Sequence, residues 1–204
     1  MNRSKYIYTA ALVLSCSQYG HANPYETLAE FLANTKGVTT IGFEDIAYPY
    51  SFAAAPTLTL GGVTFTTPGG KVVDSLYATT YNWGSGASLY SLGNGKGGEV
   101  TVALPSGVTA IGADLWTFED GLNVNLTLCT GDSFTVQTGG QPALAFFGVT
   151  TTSDIVSVTF NVPDGYLGLD NFVYGTTKIP DAGSTMALFG IGALGLATIR
   201  RRLV

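Results

Sequence analysis

Apolar and polar residues alternate one for one in several short runs between residues 58 and 174. A backbone with that period of two buries one face only as β-strand. Leu58, Leu60, Val63 and Phe65 flank Gly61-Gly62 with the spacing of a two-residue hairpin. Val100, Val102 and Leu104 alternate with Glu99, Thr101 and Ala103. Leu122, Val124, Leu126 and Leu128 alternate with Asn123, Asn125, Thr127 and Cys129, and Thr130-Gly131-Asp132 then turns the chain into a return run through Phe134 and Val136. Val156, Val158, Phe160 and Val162 form another run, and Leu167 to Tyr174 the last. With 27 glycines for turns and no internal repeat or linker, the pattern predicts about ten strands in one domain over residues 38–176. The expected fold is all-β, a two-sheet antiparallel sandwich of jelly-roll type. Residues 23–37 carry a short helical pattern instead. Asn23 can cap it, Pro24 suits its first position, Leu28, Phe31 and Leu32 share a face, and Gly37 can end it.

Charge is unevenly placed. Arg3 and Lys5 lie near the start and Arg200, Arg201 and Arg202 at the end, while Asn23 to Asp181 holds four lysines and all fourteen acids. That middle carries a net charge of about −10. Such a surface repels phosphate backbones, so no nucleic-acid partner is expected, whereas neutral glycans and divalent cations remain compatible with it. The one histidine, His21, precedes Asn23. A domain starting at Asn23 therefore lacks a Ser-His-Asp or Cys-His arrangement and any His-liganded metal. Cys16 also precedes it, which leaves Cys129 without a disulfide partner in the domain.

Residues 1–22 read as a signal peptide. Arg3 and Lys5 give the positive start, Tyr6 to Ser15 a short apolar stretch, and Gly20-His21-Ala22 places small residues where a signal peptidase inspects the chain. Cleavage is expected after Ala22. A lipoprotein reading around Cys16 is the alternative, with bulky Leu14 fitting it poorly. Residues 177–204 read as a second address. Ile179-Pro180-Asp181-Ala182-Gly183-Ser184-Thr185 leads into an apolar run, Met186 to Ile199, closed by Arg200 to Arg202. From Ala182 to Ile199 there are 18 residues without a charge, about 27 Å as a helix. That is short for a bilayer core, and the terminal arginines are what favour a transmembrane helix anchored on the cytoplasmic side.

This order of short Pro-acidic motif, apolar helix and basic end resembles the PEP-CTERM sorting signals, closest to the variant written Val-Pro-Asp-Ser-Gly. Ile179 stands for its Val and Ala182 for its Ser, while Pro180, Asp181 and Gly183 agree. The resemblance implies a Gram-negative bacterial protein processed by an exosortase, a membrane cysteine transpeptidase. It further implies an inner-membrane precursor delivered to the cell surface or the extracellular exopolysaccharide matrix.

Candidate ligand sites are weaker signals. Gly93-Asn94-Gly95-Lys96-Gly97-Gly98 imitates a dinucleotide fingerprint, but Glu99 opens a strand where the phosphates need a helix. Asp114, Glu119 and Asp120 are the nearest thing to a glycosidase pair. Tyr77, Tyr81, Trp83 and Tyr90 offer rings that stack on sugars or, equally, pack over the sandwich. Glu44 and Asp45, in Gly42-Phe43-Glu44-Asp45, together with Asp170 on the last strand, resemble the structural calcium site of jelly-roll carbohydrate-binding domains. No other cofactor is expected. The combined expectation is a non-catalytic surface or matrix protein of structural or adhesive role. A calcium-stabilised carbohydrate-binding module is the alternative, and a surface-anchored glycoside hydrolase ranks behind both.

Overall fold

A computed structural model of the chain describes residues 22–44, 57–67, 70–73, 88–91, 97–119, 121–139 and 144–178. Its elements are β1 (Asn23–Tyr25), α1 (Leu28–Ala33), β2 (Thr35–Ile41), β3 (Thr57–Leu60), β4 (Val63–Thr66), β5 (Gly70–Val73), β6 (Ser88–Ser91), β7 (Glu99–Ala103), β8 (Ala110–Thr117), β9 (Asn123–Leu128), β10 (Ser133–Gln137), β11 (Ala145–Thr150), β12 (Ser157–Asn161) and β13 (Leu167–Thr177). They form two antiparallel sheets. The first has the order β1-β11-β8-β13-β6-β5, with β2 also paired to β13, and the second has the order β10-β9-β12-β7-β4-β3. One core joins them: Ile111, Leu115, Leu169 and Phe172 of the first sheet pack with Val100, Val102, Leu126 and Phe160 of the second. That makes the molecule a β-sandwich, its inner faces filled by every second residue.

The alternating runs fall where expected in the second sheet. Thr57–Leu60 and Val63–Thr66 pair in register Leu60↔Val63. Gly61 and Gly62 between them have φ of +56° and +82°, the left-handed pair that a type I′ hairpin demands. Glu99 opens β7, so the glycines before it lead into a strand and the dinucleotide reading is closed.

The N-terminal segment is a correction. Asn23–Tyr25 is an edge strand, with Pro24 opposite Val149, a place that tolerates its missing N–H. The helix starts later because Thr27 caps it, its hydroxyl also donating to Glu30 Oε2 at 3.0 Å. Thr27 is extended (φ −129°, ψ 142°) and its hydroxyl accepts from Glu30 N at 3.3 Å. Only Phe31 of the apolar trio is buried, Leu28 and Leu32 being about two-fifths exposed at 43% and 41%. Gly37 does not end the helix; it sits inside β2 with φ +60°.

Phe31 and its ring neighbour Phe146 explain two glycines across from them. Phe31 packs with Ala110 and Val173 on the outer face of the first sheet. A Cβ at Gly148 would come within 2.6 Å of its ring, and one at Gly112 within 2.8 Å of Phe146. The first sheet is therefore covered on both faces over part of its width; among the described residues α1 packs on it alone. Among the described residues no helix is long and apolar enough to cross a membrane. The expected leader helix (residues 1–21) and tail helix lie outside them.

Candidate functional site

On the outer face of the first sheet, two acids meet. Asp114 of β8 is the register partner of Asp170 of β13, so both side chains project from one face of neighbouring strands. Asp170 is fully buried and Asp114 is half-buried. Asn171 holds them. Its backbone N–H donates to Asp170 Oδ1 at 2.7 Å, and its Nδ2 donates to Asp114 Oδ2 at 2.8 Å. Asn171 has φ +45°, the one non-glycine with positive φ among the described residues, where β13 shifts register against β8 between Asp170 and Val173. A bulge of this kind re-aims side chains, and an amide side chain tolerates the left-handed conformation better than most.

Glu44 approaches from the other side of β13. The β2–β13 register runs as far as Ile41 opposite Phe172, and Phe43 and Glu44 follow directly after Gly42. Phe43 is fully buried, 5.4 Å from Phe65 between ring centres, and Phe65 is 5.4 Å from Phe172. Glu44 is exposed, its carboxylate folded back over Gly42. Asp45 lies outside the described residues, and among those described no three of His, Cys, Asp and Glu converge on one point. The acid grouping expected for glycoside hydrolysis is rearranged as well. Asp114 faces Asp170, Glu119 is exposed in the loop after β8, and Asp120 is outside the described residues.

One register step along the same face lies a row of rings. Tyr90 of β6 and Trp116 of β8 are both partners of Gly168 on β13. A Cβ at Gly168 would fall inside the Trp116 indole, so glycine is what lets the two rings stack over the strand, 5.6 Å apart and 11° from parallel. Tyr166 lies 5.5 Å from Tyr90, and Phe118 lies 5.5 Å from Tyr166. Tyr90 is buried, while Tyr166 and Phe118 are 38% and 40% exposed. Burial, and secondarily the Tyr166 phenol, push the Tyr90 hydroxyl far above the ordinary tyrosine range. Of the four aromatic residues expected to form a glycan platform, Tyr90 thus belongs to a packed stack whose outer end, at Tyr166 and Phe118, is partly exposed. Tyr77, Tyr81 and Trp83 lie outside the described residues.

The sequence reading passed over a cleft of about 400 Å³ where the edges of the two sheets approach, between β1 with α1 and β10. Tyr25, Phe134 and Phe147 supply apolar wall, and Glu26, Glu30 and Thr135 supply oxygens. Tyr25 is steadied by Thr150, hydroxyl to hydroxyl at 3.3 Å. The signal was hard to find because Tyr25 and Phe134 are 109 positions apart and each fits an ordinary strand.

At the far end of β13 the strand is tied into the fold up to Lys178, the last described residue. Thr177 donates from its hydroxyl to Thr109 O at 3.0 Å and Thr151 O at 2.9 Å. Lys178 N donates to Asn34 O at 2.9 Å, and Lys178 Nζ donates to Ala33 O at 2.8 Å. The last turn of α1 has no basic residue of its own, so the lysine supplies the cation that its carbonyl end favours.

Residues 178–203 match the VPDSG-CTERM motif. The tail is a PEP-CTERM-type sorting signal. It points to export and a cell-surface destination, and it implies an exosortase-type processing partner. The residues of the signal beyond Lys178, including Ile179 to Gly183 and Arg200 to Arg202, lie outside the described residues. No curated protein matches the chain. Among solved structures, the chain is similar to the K2 cleaved adhesin domain of Lys-gingipain, with 13% identity, 68% of this chain and 99% of that one covered, and a TM-score of 0.47. It is similar to a CBM29-2 carbohydrate-binding module at 12% identity, covering 71% and 97%, with a TM-score of 0.35. It is also similar to TmCBM61 in complex with β-1,4-galactotriose at 13% identity, covering 56% and 89%, with a TM-score of 0.32.

Proposed function

We propose that the chain is an exported bacterial surface or matrix protein whose β-sandwich has a structural or adhesive role and no catalysis. In this reading a signal peptidase cuts after Ala22. The precursor is held in the inner membrane by the 186–199 helix, and an exosortase-type transpeptidase acts at Ile179-Pro180-Asp181-Ala182-Gly183. The observation that carries it is the sorting signal over residues 178–203, whose first residue, Lys178, is hydrogen-bonded to the sandwich. Replacing Pro180-Asp181 by Ala-Ala is expected to leave an uncleaved, membrane-held precursor. Normal processing of that variant would reduce the tail to a plain anchor.

A carbohydrate-binding module is the second reading, and the cleft beside β1 favours it. A volume of about 400 Å³ lies within the range of small-ligand sites. Ring faces at Tyr25 and Phe134 suit the apolar face of a pyranose, while Glu26, Glu30 and Thr135 suit its hydroxyls. The net negative charge selects neutral sugars over uronic acids. A glycan array on residues 23–178 tests it: binding to neutral glycans, weakened by Phe134→Ala, supports the reading, and an empty array returns the domain to a structural role.

Calcium is the proposed structural ion of either form. The neighbouring carboxylates of Asp114 and Asp170 are the hard oxygen donors that it prefers. Glu44 and Asp45 would complete the shell from the loop after β2. When bound, the ion would neutralise charge on an acidic domain and tie that loop to β13; it would take no part in bond making.

A further inference from the structure

The sorting signal and the folded domain share Lys178, and this has a steric consequence. Residues 179–185 number seven between that clamped lysine and the apolar run. Seven residues reach at most about 25 Å when fully extended. The motif an enzyme must grip, Ile179 to Gly183, starts at the very next residue. An enzyme that accommodates a five-residue backbone and four side chains there cannot keep clear of the domain wall beside Lys178.

We infer that the sorting transpeptidase recognises its substrate in contact with the tail-exit end of the folded sandwich, through Leu32, Asn34, Lys36 and Lys178. The inference rests on the sorting reading above. All four residues are exposed, and they converge on the tail exit: Lys178 donates to the carbonyls of Ala33 and Asn34, its Nζ lies 3.5 Å from Leu32 O, and Lys36 is the register partner of Thr176. Two of the four lysines between Asn23 and Asp181 are gathered here, on a domain otherwise strongly acidic. Asp154 is the acid of the adjoining turn, and its carboxylate accepts from Gly107 N at 3.0 Å. Leu32, 41% exposed, sets an apolar side chain among these charges. A mixed basic and apolar patch fits a partner that presents acidic and apolar groups at the membrane boundary. A flexible spacer of many residues would have made the domain irrelevant to recognition, and the strand-end hydrogen bonds of Thr177 exclude one.

The test compares processing rates of the full-length chain in cells that contain the transpeptidase. Lys36→Glu and Leu32→Asp, each in the native-length chain, are expected to slow tail removal roughly tenfold, the loss brought by one spoiled interface contact. Ten Gly/Ser residues inserted between Lys178 and Ile179 are expected to restore the rate of both variants, since the motif then reaches the enzyme without the domain. Unchanged melting of the purified domains shows that the substitutions act at the surface. Processing of Lys36→Glu and Leu32→Asp at the parental rate overturns the inference while leaving the sorting reading intact. Slow processing that the insertion does not restore also overturns it, and would assign the patch to the bilayer surface if the variants bind anionic vesicles less. The Pro180-Asp181 replacement reports separately on the sorting reading, because it blocks cleavage whatever the spacer length.

Discussion

The outer faces of the two sheets are built on opposite rules. On the second sheet the outward residues are small and polar and pair across strands: Thr59 with Thr64 at 3.1 Å, Thr101 with Thr159 at 3.1 Å, and Thr135 donating to Asn125 Oδ1 at 3.0 Å. On the first sheet the outward residues are Gly148 under Phe31, Gly112 under Phe146, the Asp114–Asp170 pair and the Tyr90–Trp116 stack. One face ends in water and the other is filled with specific contacts. Chemistry that needs a buried charge or an oriented ring has a place only on the second kind of surface, which is why the candidate calcium and aromatic sites both fall on the first sheet.

Substitutions sharpen this contrast by size. Phe31→Ala should have the largest effect, about 3–5 kcal/mol, because it empties a fully buried ring position over Gly148. Chemical denaturation would measure it, and a loss under 1 kcal/mol would mean that α1 is not integral to the sheet. Calcium comes next. At 100-fold excess over its dissociation constant it should add about 2.7 kcal/mol, a melting shift of roughly 5 to 10 °C for residues 23–178. Asp170→Ala or Glu44→Ala should abolish the difference between calcium and chelator, and identical melting of the parent in both would remove the ion from the account.

Alkaline titration probes the aromatic row. The Tyr90 hydroxyl is raised in the fold by burial and then by Tyr166, so above the ordinary tyrosine range the unfolded chain gives up a proton that the folded one keeps. Stability tied to this group is complete below that range and falls as pH rises through it toward the folded value. Tyr90→Phe should flatten the fall. An equally steep loss in the variant would contradict the assignment. The smallest effect is expected on the other sheet, where Thr101→Ala should change stability by no more than about 0.5 kcal/mol; a cost above 1 kcal/mol would show that the threonine pairs bear weight.

The same contrast decides what the sequence made legible. Strands of the second sheet see water on one side, so Val100, Val102 and Phe160 alternate with polar residues and their runs stand out. Ala110–Thr117 is buried at nearly every position, and Ala145–Thr150 is buried over its last four. A strand covered on both faces shows no alternation, and neither segment announces itself. Asp170 was visible as a candidate from its resemblance, but its neighbour Asp114 was grouped with Glu119 by proximity in the chain. Cross-strand register, which depends on the bulge at Asn171, is what pairs it with Asp170 instead. The helix start was legible in Thr27-Leu28-Ala29-Glu30, although Asn23-Pro24 offered a competing cap that edge pairing with β11 claimed.

The orientation of β13 links fold to delivery. Its eleven residues span roughly 36 Å, from the exposed Tyr166 and Phe118 beside its start to the tail exit at Lys178. In the proposed precursor, the aromatic row lies at the opposite end of β13 from the residue that leads into the sorting signal.

Intact-mass spectrometry of the protein recovered from the cell surface tests the central claim most directly. The account predicts a chain beginning at Asn23 and ending before Met186, with the tail retained when the transpeptidase is deleted. Surface material that still carries Met1, or Arg200 to Arg202, would contradict it.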